Sequence, residues 1–106
     1  MENLALSLGT QLFEKRYNRK PDVRIKELTI EAGEIKHLQA VNEIYMLYDV
    51  SKNDVDFQIK SGTYFITQGR YFKNRVPSRP YDLTGDIMLD CRSALDSLTF
   101  TFLVFY

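Results

Sequence analysis

The sequence predicts an all-β protein: a small antiparallel β-sandwich or jelly-roll-like domain behind an N-terminal arm. The prediction rests on periodicity, punctuation and composition. Apolar residues alternate with polar ones from Val23 onward, and clusters of Gly, Ser, Asn and Asp interrupt the runs at short intervals. Aromatic residues, all Tyr or Phe, make up 13% of the chain, and aromatics suit a pleated, half-buried surface. At 106 residues there is room for one domain, which buries roughly 65% of the surface its unfolded chain exposes. Residues 1–22 read as the arm and residues 23–106 as the β domain.

In the arm, Leu4, Leu8 and Leu12 recur at four-residue spacing, which predicts a short helix broken near Gly9. Lys15, Arg16, Tyr17, Asn18, Arg19, Lys20 and Pro21 follow as a basic, extended stretch. A short segment that cannot bury its leucines by itself either frays as a loose terminus or docks on something else. Removing everything before Val23 is therefore expected to leave the fold intact and to weaken association.

Within the domain, Leu28, Ile30 and Ala32 alternate with Glu27, Thr29 and Glu31 until Gly33 turns the chain. Ile35 and His37 alternate with Lys36 and Leu38, and Ile44–Val50 is apolar almost throughout, as expected of a strand covered on both faces. Ser51–Asp54 is a polar turn. Val55, Phe57 and Ile59 then give the cleanest alternation in the chain. Thr63–Thr67 forms another strand, and Tyr71 and Phe72 lead into a Pro-containing loop over Lys73–Thr84. Ile87, Leu89 and Cys91 share one strand face. Finally Leu98, Phe100, Phe102, Val104 and Tyr106 face one way, with Thr99, Thr101, Leu103 and Phe105 opposite. A terminal strand this apolar must be central, or be covered by the arm or by a neighbouring subunit.

Formal net charge is zero. Dedicated nucleic-acid-binding domains carry a positive excess, because affinity comes from phosphate neutralisation; nucleic acid remains a possible partner but is not favoured. Cys91 is the only cysteine, so no intrachain disulfide can form, which fits a reducing cytoplasm. Glu2 stands where a signal peptide carries positive charge, and no run approaches the roughly 18 apolar residues of a membrane helix. A soluble, unexported protein is expected.

No catalytic constellation emerges, and the expectation is a non-enzymatic protein without a cofactor or a metal. His37 is the only histidine, and no nucleophile-elbow pattern accompanies it, Cys91 or any serine. A buried, inert thiol fits Cys91 better than a nucleophile. Asp54 and Asp56 share a strand face but lack the Gly and Glu of a calcium loop; they read as solvated, as do Asp82, Asp86 and Asp90. The segment holding Arg70, Tyr71, Phe72, Arg75, Arg79 and Tyr81 interleaves cations with aromatics. That composition suits single-stranded nucleic acid or a protein interface, and zero net charge favours the interface. Leu4, Leu8, Leu12 and Phe13 of the arm, and Phe105 of the last strand, complete the candidate interface residues.

From Leu28 to the C-terminus the layout resembles small β-sandwich virion proteins of bacteriophages. The pieces that carry the resemblance are Leu28-Thr29-Ile30-Glu31-Ala32-Gly33, Val55-Asp56-Phe57, Gly69 with Tyr71 and Phe72, and Leu98-Thr99-Phe100-Thr101-Phe102. Where such sequences often carry a glycine before the third strand, this one has Val41-Asn42. The resemblance implies a building block of a phage particle: a capsid, vertex, decoration or tail-associated subunit, made in the host cytoplasm and ending in the virion. Its partners would be copies of itself and other virion proteins. The competing expectation is a β-sandwich binding module for a carbohydrate or a protein ligand, with Tyr64, Tyr71, Phe72 and Tyr81 as candidate contacts.

Overall fold

The structure is a computed structural model and describes residues 2–51, 55–61, 64–71 and 82–106. A helix, α1 (Glu2–Tyr17), precedes β1 (Val23–Ile30), β2 (Ile35–Val50), β3 (Val55–Ser61), β4 (Tyr64–Tyr71), β5 (Asp82–Asp90) and β6 (Leu98–Phe105). The domain is thus mostly antiparallel β-sheet, as the alternation predicts. The segments read separately as Ile35–Leu38 and Ile44–Val50 are one long strand. All six described strands join in a single sheet of order β1-β6-β2-β5-β3-β4.

The sheet closes its own core by bending. Fully extended, the 16 residues of β2 would span roughly 53 Å, longer than the 41 Å long axis of the molecule. The bend falls where Ala40 pairs with Gly85 but Tyr45 pairs with Leu83, so β2 advances five residues while β5 advances two. Such extra residues kink a strand and increase its twist. The backbone there needs left-handed conformations, with φ 54° at Asn42 and 70° at Gly85. Asn tolerates that region better than other residues with a side chain, so Asn42 fills a position that glycine would also suit.

The consequence of the bend is visible in one contact. Strands β6 and β3 lie three places apart, roughly 14 Å in a flat sheet, yet the Phe100 and Phe57 rings meet edge to face at 5.1 Å. The layering is sandwich-like, made from one sheet folded over on itself. Its interior holds Ile30, Tyr45, Val50, Phe57, Ile59, Leu83, Ile87, Leu89, Cys91, Leu98, Phe100, Phe102 and Val104, all buried.

The helix covers the opposite face of β2 and β6. It runs unbroken through Gly9, contrary to the predicted break. Glycine serves there as a contact point, because a Cβ at position 9 would fall onto the Phe105 ring. Phe13, one turn on, packs with Ile44, Met46, Leu103 and Phe105, flanked by Leu6, Leu12 and Tyr17. Lys15 and Arg16 sit in the last turn, where cations complement the helix dipole. Asn18, at φ 57°, ends the helix and donates its N–H to the Glu14 carbonyl, a left-handed cap. The apolar last strand is therefore both central in the sheet and covered by the chain's own N-terminal segment.

Candidate functional site

The helix covers the outer face at Ile44, Met46, Leu103 and Phe105 and leaves Ile35 and Val41 of β2 exposed; the sheet edges carry the backbone groups without a strand partner among the described residues. Among the described residues, β1 pairs only with β6, from Val23↔Phe105 to Ile30↔Leu98. Just beyond this register Asp22 and Tyr106 exchange both backbone hydrogen bonds, at 2.8 and 3.0 Å. Hydrogen-bonded pairs alternate along an antiparallel ladder. Arg24, Lys26, Leu28 and Ile30 thus turn their N–H and C=O groups toward β6. Val23, Ile25, Glu27 and Thr29 turn theirs toward the open edge.

The side chains on this strand divide in the same way. Val23 and Ile25 stand on the face that α1 covers over β6, but the helix does not reach them, and they are 39% and 59% exposed. On the other face Arg24 donates to Glu43 Oε2 at 2.8 Å and stacks on the Tyr106 ring at 4.7 Å. Lys26 donates to the Tyr45 hydroxyl at 3.2 Å and lies over its ring. These contacts hold both cations along the rim of the core. Residues 15–26 contain six Lys and Arg against Asp22 as the one acid, a net +5 that leaves −5 for the rest of this neutral chain. Lys15, Arg16, Arg19 and Lys20 are exposed.

Other polar groups serve the fold. His37 is exposed, with Nδ1 3.7 Å from Asp86, and Gln39 donates to the same carboxylate. Cys91 is fully buried, and desolvation, reinforced by Asp90, pushes its thiol up to about 11. It is an inert core thiol, as its place beside Ile87 and Leu89 predicts. Asp90 differs from the expected solvated residue: it is buried and takes a bidentate ion pair from Arg92, Nε to Oδ1 and Nη2 to Oδ2. Hydrogen bonds from Arg92 outweigh desolvation and hold its carboxyl below the ordinary value. Among the described residues no group of three or more His, Cys, Asp and Glu could hold a metal, and no helix is long and apolar enough to cross a membrane.

The predicted interface residues scatter. Phe13 and Phe105 are wholly buried against each other's elements inside the chain, so neither is offered to a neighbour. Leu12 packs at the margin of the same cluster, Leu8 is half-buried, and Leu4 lies on α1 with its side chain outside the described ones. Arg70 and Tyr71 fall on β4, at the end of the strand order opposite β1, and their side chains are likewise not described. Phe72, Arg75, Arg79 and Tyr81 lie outside the described residues. Of the other aromatic candidates, Tyr64 opens β4. The β1 residues are absent from that set: their apolar positions shift face between Ile25 and Leu28, and the strand becomes an edge only through its pairing with β6. Compared with known protein families and with curated protein sequences, the chain matches none.

Proposed function

We propose that this chain is a non-enzymatic structural subunit of a bacteriophage particle, joining neighbouring proteins through its sheet edges. One observation carries the reading: a sheet that closes its own core yet leaves the outer edges of β1 and β4 without a strand partner among the described residues. An unpaired edge is a row of backbone donors and acceptors, ready to template another chain. The apolar C-terminal strand does not contribute, since α1 covers it. The layout shared with small virion proteins supplies the particle context, and its location would be the virion after synthesis in the host cytoplasm. Neighbours would be further copies of the chain and other virion proteins. The test is mass spectrometry of gradient-purified particles from cells carrying the gene. The reading expects the chain in a fixed ratio to the major shell protein, and its absence from washed particles would contradict it.

A further inference from the structure

We infer that the open edge of β1 is a strand-addition site for an acidic, extended protein segment whose alternate residues are apolar. This rests on the assembly reading for the partner's biological origin, while the chemistry stands on β1 itself. A seventh strand laid along β1 would find the N–H and C=O groups of Val23, Ile25, Glu27 and Thr29 directed toward it. Its residues on one face would meet Val23 and Ile25, which the helix leaves uncovered. Those on the other face would stand beside Arg24 and Lys26, held in place by Glu43 and Tyr45. Over residues 23–26, period two in the ligand, apolar on one side and carboxylate on the other, matches period two in the edge; beyond it Glu27 and Thr29 continue the first face, and Leu28 and Ile30 the second.

Charge selects among occupants. A second copy of β1 would lay a strand carrying Arg24 and Lys26 beside the same two cations, and the registers that set them opposite one another are destabilised. The +5 excess over residues 15–26 instead steers an acidic chain toward this edge. Nucleic acid would also be attracted by that charge. It cannot use alternating backbone donors and acceptors, however, and the local aromatic faces of Phe13 and Tyr106 are already occupied by Arg19 and Arg24.

The experiment titrates the full-length chain with fluorescent probes. One is a peptide of alternating Glu and Val matched to the eight residues of β1; a second has Lys in place of Glu, and a third is an oligo-dT of equal charge. The Glu-Val peptide is expected to bind, with amide shifts at Val23, Ile25, Glu27 and Thr29, and the Lys-Val peptide is not. Glu27→Pro removes an edge-facing N–H that β6 does not use and is expected to weaken binding by about tenfold. Glu27→Ala removes the same negative charge but keeps the N–H, so binding should hold or tighten. Binding unaffected by Glu27→Pro, shifts confined to other strands, or oligo-dT binding with no peptide binding would each overturn the site. Should the proline variant fail to fold, the shift map on the unmodified chain decides. A chain present in particles that binds no acidic peptide loses this site and keeps its structural role; a chain absent from particles that binds the peptide at β1 keeps the site and loses that role.

Discussion

Three residues show how local chemistry is set by the fold around it. Gly9 sits in a helix, where alanine is ordinarily better by about 1 kcal/mol, yet its missing side chain is the space that Phe105 occupies. Gly9→Ala should therefore lower the unfolding midpoint, and a rise would show that the ring does not rest on the helix. Phe105→Ala empties the same contact and should cost about 3–5 kcal/mol in denaturant unfolding. Cys91 and Asp90 give opposite pH limits. The thiol is raised from 9.0 to about 11 in the fold, so its contribution is complete below 9.0 and is lost as pH climbs toward 11. Asp90 is lowered, so its contribution holds above the ordinary carboxylate value and fades as pH falls through the folded one; Asp90→Asn should flatten that acid limb. Cys91 was legible in the sequence, since sharing a face with Ile87 and Leu89 suffices to bury it. Gly9 and Asp90 were not, because a glycine in contact with an aromatic reads like a helix breaker, and an aspartate buried by a neighbouring Arg reads like a surface one.

Elements show the same division. The alternation at Phe57 and Ile59, and along Leu98–Val104, identified strands that the structure buries on the predicted side. The helix face was misread, because Leu4, Leu8 and Leu12 form the conspicuous stripe while Gly9 and Phe13 make the buried contact. The bend in β2 was also hidden, since positive φ at Asn42 has meaning only once β2 is paired with β5 on one side and β6 on the other. α1 packs on β2 and β6, whereas the sequence leads one to expect that removing everything before Val23 leaves the fold intact and weakens association. Deleting residues 1–17 would uncover Ile44, Met46, Leu103 and Phe105, each worth roughly 1.5–3 kcal/mol when buried. The truncated chain should unfold at lower denaturant and bind an apolar dye. A truncation as stable as the full chain would show that the helix contributes no packing.

For the whole molecule, one sheet closes on itself and the helix caps the face left over, so β1 lies on the outside of the order. Which strand becomes an edge depends on the pairing of β1 with β6, separated by most of the chain, and no local pattern encodes that. The basic stretch of the N-terminal segment runs along the chain directly into this strand, so the pairing that makes β1 an edge also sets Arg24 and Lys26 beside an open ladder, which favours acidic strands there. Residue-resolved hydrogen exchange on the isolated full-length chain tests this most directly. Amides of Arg24, Lys26, Leu28 and Ile30 should be protected while those of Val23, Ile25, Glu27 and Thr29 exchange rapidly, and equal protection of both sets would mean that β1 is not an open edge.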